Sequence, residues 1–373
     1  MGIQGLRKTL EEILKDTNAI EKKTLGYLKK MYDVKVIGID VMPYLYLNLN
    51  HPIRFQKVMS AMIQRITQND MIPFFIFDVR NHIDFVQTDD MIDIDSSSMT
   101  LHYKKGTLHR RNEVRNQYKI EFEMYEEMVE MKNQVISYTD FEKKMKNTFT
   151  SLDIKDVSLS QLYRMNLPDL FQRMEWCEKR SWRLKNEHIQ YFCMLCLQYG
   201  VPYVFSSGEA DPLLANLCKE GIIQAVISED TDMIPYGTPI VLREFNFYSN
   251  DITLFHTGRI LRHLGLTPLQ MIDWCILMGN DYNNRLKGYK PIDSLELIRE
   301  HGNIEKIFDL LFIQKGKYIP ESIAYRDIRG IYTQTLDNRY IRIVMNIFTG
   351  LKISVISSNV SLLLDTERCI TES

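Results

Sequence analysis

The chain alternates short apolar runs with longer segments of helical periodicity. Four apolar runs have the length and residue types of strands: VKVIGID (34–40), MIPFFIFD (71–78), VPYVFS (201–206) and QAVIS (224–228). Strands separated by helical segments are typical of an α/β fold with a mostly parallel sheet. We therefore predict that fold class.

Acidic residues gather where these predicted strands end. In parallel sheets, ligands bind beyond the carboxyl ends of the strands. Carboxylates brought together in a partly dehydrated cleft repel one another, so the pattern predicts bound cations. All-oxygen ligation suits Mg²⁺ or Mn²⁺, and two such ions activate water for phosphodiester hydrolysis. The candidate metal ligands are Asp40, Asp78, Glu209, Asp211, Asp230, Asp232 and Asp281.

Each acid also has a simpler interpretation. A single Asp at a strand end commonly caps a turn or a helix. Glu209 and Asp211 precede and follow the start of a predicted helix with Pro212 in its first turn, where acids favour the helix dipole. Because four strand ends carry acids, we favour a metal-dependent phosphoesterase.

Charge is distributed in blocks although the formal net charge is only −2. Residues 102–119 and 178–185 are basic, and residues 121–130 between them are acidic. Such alternation is typical of solvated helix faces, but basic blocks also bind phosphates. Arg110 and Arg115 are therefore candidate DNA contacts.

The composition argues against a membrane or secreted protein. The chain has 373 residues, 45% of them hydrophobic, so it can bury a large core. We find no apolar run of membrane-spanning length, no signal peptide and no myristoylation pattern. The cysteines lie in apolar segments, and Cys193 and Cys196 are predicted to occupy the buried face of a helix rather than a zinc site.

Several motifs, in order along the chain, resemble the flap structure-specific endonuclease family. The similarity covers about 1–119 and 201–310 and is closest in character to the poxvirus flap-endonuclease-like branch. The motifs are MGIQGL, IGIDVMPYLY, FFIFD, KKGTLHRR, GEADPLLA, ISEDTDMIPYGTPIVLRE and LMGNDYNNRLKGYKPIDSLELIREHGNIEKIF.

The resemblance implies a fold and a domain division. We expect a three-layer α/β/α, PIN-like nuclease core over 1–285, interrupted by a helical arch at about 80–180. A C-terminal region over 286–373, similar to a helix-two-turn-helix, would bind duplex DNA.

The resemblance also implies roles for individual residues. One Mg²⁺ would be held by Asp40, Asp78, Glu209 and Asp211, and a second would lie among Asp230, Asp232 and Asp281. Lys104 and Arg111 match the basic pair that contacts the scissile phosphate. Tyr46 matches an aromatic residue that stacks on a base, and Gly2 matches a glycine near the active site. Lys287 and Lys290 are candidate contacts to duplex DNA.

The chain departs from the family pattern in several places. The interval from Asp40 to Asp78 is short, which predicts a reduced wedge at a bent junction. The long interval from Asp78 to Glu209, with an acidic loop at 84–98, predicts an enlarged arch. The hairpin motif keeps Gly288 but has Lys290 in place of a second glycine. That departure leaves open whether the family's K⁺ site is present.

The expected function is a Mg²⁺-dependent structure-specific endonuclease and 5′–3′ exonuclease acting in viral DNA replication, recombination and repair. Its partners would be branched or flapped DNA and viral replication or recombination proteins, with no membrane and no recognisable sliding-clamp peptide. The resemblance to the poxvirus branch implies the host cytoplasm. Two alternatives are a dimeric four-way-junction resolvase and a non-catalytic DNA-binding scaffold.

Overall fold

The computed structural model describes residues 2–48, 52–78, 99–151, 158–181, 186–206, 209–246, 248–315, 324–335 and 344–348. The chain forms two compact units, one from 1–103 with 186–373 and the other from 104–185. The second unit overlaps the predicted arch, whereas the predicted boundary at 286 stays a prediction. No helix in the described ranges is long and apolar enough to cross a membrane.

The first unit contains a mixed sheet of seven strands in the order β1-β7-β6-β5-β2-β3-β4. The five strands from β6 to β4 are parallel, and β7 and β1 add two antiparallel pairings at one side. The four predicted strands are confirmed as β2 to β5, and β1, β6 and β7 were not predicted. The strands are β1 Ile20–Thr24, β2 Val36–Asp40, β3 Ile72–Asp78, β4 Tyr203–Ser206, β5 Ala225–Ile227, β6 Ile240–Asn246 and β7 Asp251–His256.

Helices of the first unit flank these strands. A single 3₁₀ turn, Thr231–Met233, follows β5. The helices are α1 Leu6–Ile13, α2 Leu25–Tyr32, α3 Met42–Asn48, α4 Pro52–Thr67, α9 Asn186–Tyr199, α10 Ala210–Lys219, α11 Thr257–Leu264, α12 Pro268–Met278, α13 Pro291–His301, α14 Ile304–Lys315 and α15 Tyr325–Thr333.

Alternate residues of β3 pack on opposite faces of the sheet, as the pleat requires. Phe75 and Phe77 contact Phe192 of α9, with ring centroids 4.9 and 5.7 Å apart. Phe74 and Ile76 instead belong to the main core cluster, which includes residues of α1, α10 and α12. Both faces of the sheet are therefore covered, which gives three layers and confirms the predicted fold class.

Close approach to α10 explains a glycine in β2. A Cβ at Gly38 would lie 2.6 Å from a methyl carbon of Leu214 on α10 and 2.5 Å from one of Ile223. Only a residue without a side chain allows α10 to pack so near the strand. Cys193 and Cys196 are buried in α9, as predicted.

The second unit is helical and has its own core. It comprises most of α5 (Met99–Asn133), together with α6 (Tyr138–Ser151), α7 (Leu159–Arg164) and α8 (Leu167–Ser181). Met124, Met128, Phe141 and Leu162 are among the residues of that core. The predicted acidic loop at 84–98 lies outside the described residues.

Candidate functional site

The sheet order brings the acid-bearing strand ends together. Strands β5, β2, β3 and β4 are consecutive neighbours and parallel, so their carboxyl ends share one edge. Asp40 and Asp78 are the last residues of β2 and β3, and acids follow β4 and β5 within a few positions. The alternation of strands and helices therefore builds an acidic edge, as the sequence pattern indicated.

Asp40 lies deepest at this edge. It is buried, and its Oδ1 accepts a hydrogen bond from the Met42 N–H at 3.1 Å. Burial raises the pKa of Asp40 well above its ordinary value, and the neighbouring Asp78 raises that pKa further, while the Met42 N–H opposes both effects. Asp230 and Glu209 contribute in the same direction, so carboxylates from all four strand ends share one electrostatic environment.

Asp78 joins the end of β3 to the start of α10. Its Oδ1 accepts a hydrogen bond from the Ala210 N–H at 2.6 Å. Glu209 is the N-cap residue of α10 and Asp211 lies in its first turn, so this bond draws both toward Asp78. The Oδ1 of Asp211 is buried. Asp211 and Glu209 thus reach the site through the helix start, and their capping and site roles are compatible.

Asp230 and Asp232 lie in the 3₁₀ turn after β5. Asp230 caps the turn by accepting a hydrogen bond from the Asp232 N–H at 3.0 Å, and Asp232 is only 1% exposed. Gly2 lies directly against this turn. A Cβ on Gly2 would be 2.1 Å from Asp230 Oδ1 and 2.8 Å from Asp232 Oδ1.

The first residues of the chain link two acid-bearing turns. The Ile3 N–H donates to Thr231 Oγ1 at 2.9 Å, and the Gln4 N–H donates to the Gly279 carbonyl at 3.0 Å. Gly279 ends α12 immediately before Asn280 and Asp281. The N-terminal segment therefore fixes the turn before Asp281 relative to the turn that carries Asp230.

A tight turn positions Asp281 itself. Gly279 has φ +83°, and a Cβ there would lie 2.6 Å from the backbone nitrogen of Arg285. Asn280 Oδ1 accepts hydrogen bonds from the Tyr282 and Asn283 N–H groups at 2.9 and 3.1 Å. Asp281, held within this turn, is half-buried.

Three buried tyrosines border the acids, and the sequence analysis missed them. The Tyr282 hydroxyl donates to Glu209 Oε2 at 3.3 Å and lies 3.4 Å from the Tyr236 hydroxyl. The Tyr332 ring packs on Tyr236 and Tyr282, with centroids 4.8 and 6.0 Å away. Burial and the nearby acids raise the pKa of all three phenols, so all three stay neutral.

A buried arginine adds a positive charge beside the acidic turn. Arg243 of β6 donates from Nη2 to the Glu229 carbonyl at 2.6 Å and lies 3.7 Å from Glu229 Oε2. Burial lowers the pKa of Arg243, while Glu229 and Asp230 raise it. Through its hydrogen bond to the Glu229 carbonyl, Arg243 supports the backbone that leads into the 3₁₀ turn.

The donor set fits hard divalent cations, since all seven acids offer oxygen ligands. Among the residues that the structure describes, no group of three or more Asp, Glu, His or Cys side chains is arranged so that it could hold a metal ion. The convergence is visible instead in the hydrogen bonds of Asp78 and Asp230 and in the electrostatic coupling of Asp40. The acids therefore share one edge of the sheet and one electrostatic environment.

Five other predicted site residues are carried by α3 and α5. Lys104, Arg110 and Arg111 lie on α5 and Tyr46 on α3, but their side chains are outside the described part of the chain. Arg115, also on α5, is half-buried.

The segment before α13 carries Lys287 and Lys290. Lys287 and Lys290 are exposed, as DNA contacts would be. Gly288 has φ +86°, which favours glycine, but Lys290 has φ −77° and its N–H donates to Asp293 Oδ2 at 2.8 Å. Lysine therefore costs no backbone strain at this position.

Sequence comparisons identify the class of protein that this site resembles. Residues 200–281 match the family model described as the XPG I-region. Flap endonuclease 1 of Osmerus mordax is 37% identical over 157 residues, which cover 41% of each chain. Flap endonuclease 1 of Saccharomyces cerevisiae strain RM11-1a is 35% identical over 164 residues, which cover 42% of each chain. The chain thus matches about two fifths of the length of these curated relatives.

Solved structures show the same fold over most of the chain. The catalytic core of Rad2 in complex with DNA substrate superposes with a TM-score of 0.56 at 15% identity, covering 94% of this chain and 95% of that one. The Holliday junction-resolving enzyme GEN1, in complex with product DNA and Mg²⁺, gives a TM-score of 0.53 at 15% identity and covers 93% and 68%. The chain therefore has the PIN-like α/β/α nuclease fold.

Proposed function

We propose that this protein is a metal-dependent, structure-specific DNA nuclease that hydrolyses phosphodiester bonds near a 5′ end or a branch. The observation that carries the proposal is the acidic edge at the carboxyl ends of β5, β2, β3 and β4. The match to the XPG I-region supports it, because that match covers residues 200–281 and so includes Glu209 to Asp281. The similarity to flap endonuclease 1 of Osmerus mordax, 37% identical over 157 residues, points to the same class of enzyme.

The acids divide into two groups that would each hold Mg²⁺ or Mn²⁺. Asp40, Asp78, Glu209 and Asp211 form the first group, and Asp230, Asp232 and Asp281 form the second. Bound together, the two ions would activate a water nucleophile and stabilise the leaving oxygen.

Neighbouring residues keep these acids in place. Tyr282 donates a hydrogen bond to Glu209, and the Ala210 N–H donates one to Asp78. Thr231 accepts the Ile3 N–H and so ties the N-terminal segment to the 3₁₀ turn. Ligands held through such supporting contacts pay little to reorganise when substrate binds.

Contacts to DNA would come from basic residues outside the acidic edge. Lys104 and Arg111 are seven residues apart on α5, a separation of two helical turns, and would stabilise charge on the scissile phosphate. Lys287 and Lys290 would contact the duplex backbone, with Arg110 and Arg115 contributing further phosphate contacts. Gly2 and Tyr46 complete the set by lying beside the reacting phosphate and stacking on a base.

A charge-neutralising double variant tests the proposal. Asp230→Asn combined with Asp232→Asn should abolish Mg²⁺-dependent cleavage of a 5′-flap substrate and leave DNA binding intact or tighter, because negative charge near phosphate is removed. Asp309→Asn is the matched control, since Asp309 is an exposed carboxylate on α14. Wild-type cleavage rates in the double variant would refute the assignment, and so would a lack of cleavage by the wild type on any flap, nick, gap or branched DNA.

A four-way-junction resolvase is the second candidate. The fold similarity to GEN1 structures, one of them human GEN1 in complex with Holliday junction DNA at a TM-score of 0.52, favours including it. A dimeric resolvase would make paired, symmetrical nicks in a four-way junction, whereas a flap nuclease would cut near one branch. End-resolved products from the same enzyme preparation distinguish them.

The remaining parts of the proposal rest on the sequence motifs. Assignment to the poxvirus branch, action in the host cytoplasm and binding to viral replication or recombination proteins are supported only by that resemblance. A non-catalytic DNA-binding scaffold would bind flap, nick, gap and branched DNAs in the presence of Mg²⁺ without cutting them. Cleavage of any of these DNAs by the wild type therefore excludes that role.

A further inference from the structure

The second unit displays an exposed aromatic and cationic cluster made of Tyr118 on α5 and Trp176 and Arg180 on α8. The Tyr118 and Trp176 rings meet edge to face, with centroids 5.1 Å apart. The Arg180 guanidinium lies 3.8 Å from the Trp176 ring centroid and 6.0 Å from that of Tyr118. Trp176 is nevertheless 43% exposed.

Core packing accounts for only one residue of this cluster, since Tyr118 packs against the core of the unit. Other residues already connect α5 and α8. Arg173 Nη1 donates a hydrogen bond to the Tyr125 hydroxyl at 3.2 Å, and Glu121 contacts Cys177. The core cluster of this unit includes Tyr125 and Cys177, whereas Trp176 and Arg180 face solvent. A tryptophan held open to solvent by its neighbours offers a flat surface rather than buried volume.

The contacts also give the direction of the two helices. Arg173 of α8 contacts Tyr125 of α5, and the later residue Arg180 contacts the earlier residue Tyr118. Since residue numbers increase along α8 while those of its partners decrease along α5, the two helices run antiparallel. The cluster therefore lies at the end of the pair that leads toward the basic N-terminal part of α5. Tyr118 is about 10 Å along the helix from Arg111, given the rise per residue.

The lysines around the cluster are paired with acids, whereas the charge of Arg180 is not. Lys179 is paired with Glu175, and Lys119 lies 3.7 Å from Glu123. Within the described ranges, Arg180 forms no ion pair with a carboxylate, so its charge can act on a ligand while the guanidinium lies 3.8 Å from the centre of the Trp176 ring. Stacked aromatic and guanidinium planes with nearby positive charge are the features by which proteins hold unpaired nucleotides.

We propose that Tyr118, Trp176 and Arg180 form a binding site for single-stranded nucleic acid, in which an unpaired base stacks on the Trp176–Arg180 surface. The inference deepens the proposed nuclease function and rests on it for its biological meaning, because flaps and branches expose unpaired bases. Stacking by aromatic planes is tolerant of sequence, so this site would not select a particular base.

The test compares strands with and without bases. Fluorescence anisotropy would measure binding of the full chain, without divalent metal, to an oligothymidine and to an abasic strand of the same length and charge. The wild type should bind oligothymidine about 5- to 150-fold more tightly, the range expected from one base–aromatic stack. Trp176→Ala should lose most of that preference while its affinity for the abasic strand stays within about twofold.

Two further variants make the outcome decisive. Trp176→Leu keeps an apolar side chain but has no aromatic face, so it should behave as Trp176→Ala does. Phe171→Ala removes another exposed aromatic residue of α8, 52% exposed, and should keep the wild-type preference. An unchanged preference in both Trp176 variants would overturn the inference, as would an equal loss in Phe171→Ala. Failure of the nuclease proposal would appear separately, as absence of Mg²⁺-dependent cleavage by the wild type.

Discussion

Replacing Gly2 with alanine tests how the N-terminal segment supports the acidic edge. A Cβ at this position would lie 2.1 Å from Asp230 Oδ1, whereas ordinary contact begins at 3.4 Å. Either the Asp230 carboxylate or the backbone of Gly2 must therefore move by about 1.3 Å, the difference between those two distances. The same Cβ also lies too close to Asp232 Oδ1, at 2.8 Å, so both acids are affected.

The structure gives two costs for Gly2→Ala. The backbone has φ +89°, and an L side chain there costs about 1–2 kcal/mol. Displacing Asp230 weakens its hydrogen bond from the Asp232 N–H, which as a lost cap costs about 1 kcal/mol. We expect the free energy of unfolding to fall by about 2–3 kcal/mol. Because misplacement of a catalytic group by about 1 Å can cost 10²-fold, single-turnover cleavage should fall by roughly that factor.

Gly5→Ala is the matched control. Gly5 has φ +78°, but a Cβ there meets only Pro291 Cγ at 3.8 Å, an ordinary contact. It should therefore share the backbone strain and keep the wild-type cleavage rate. Thermal unfolding and single-turnover cleavage of a 5′-flap substrate would be measured for both variants. Equal rates in Gly2→Ala and wild type, or equal losses in the two variants, would refute the argument that Gly2 positions Asp230.

Three other predictions concern different parts of the molecule. Burial lowers the pKa of His256 to about 4. The unfolded chain therefore takes up a proton below about pH 6.5, and the folded chain does not until about pH 4. Stability should fall by about 2 kcal/mol between pH 7 and 5 relative to His256→Asn, as measured by urea unfolding at each pH. Lys104→Ala and Arg111→Ala should each lower single-turnover cleavage by about 10²–10³-fold, with a combined effect smaller than the product, and undiminished rates would remove both from the site. Arg329→Met should cost about 3–5 kcal/mol in urea unfolding, because it leaves Asp273, 2% exposed, without its 2.7 Å ion pair. A loss below about 1 kcal/mol would show that the pair does not hold α15.

The central strands could be predicted because a strand buried on both faces has a nearly continuous apolar sequence. The segment IPFFIFD in β3, for example, has apolar residues on both faces of the strand. Strand β1, with the sequence IEKKT, has no such run, and it pairs with β7, where Lys22 lies opposite Thr253. That antiparallel pairing depends on residues far apart in the chain. Local sequence therefore could not reveal it.

The acids could be predicted for a similar reason, since each follows a recognisable strand or helix. The tyrosines beside them could not. Tyr282 directly follows Asp281 in the sequence, and that adjacency was the only local sign that it lies near the acids. Tyr332 belongs to α15, far along the chain. Its position depends on Arg329, which pairs with Asp273 of α12 and with Glu305 of α14. Only tertiary packing reveals such a contact.

The insertion point of the second unit bears on how this fold can change over time. Strands β3 and β4 are neighbours, with Phe75 opposite Tyr203, yet the whole of 104–185 lies between them in the chain. The entropic cost of closing a loop grows only with the logarithm of its length, so a tenfold longer connection costs about 2 kcal/mol more. Residues placed between these strands can thus lengthen, shorten or diverge while the sheet and its acidic edge stay folded. Under the proposed nuclease function, selection can reshape substrate choice there without rebuilding the acidic edge.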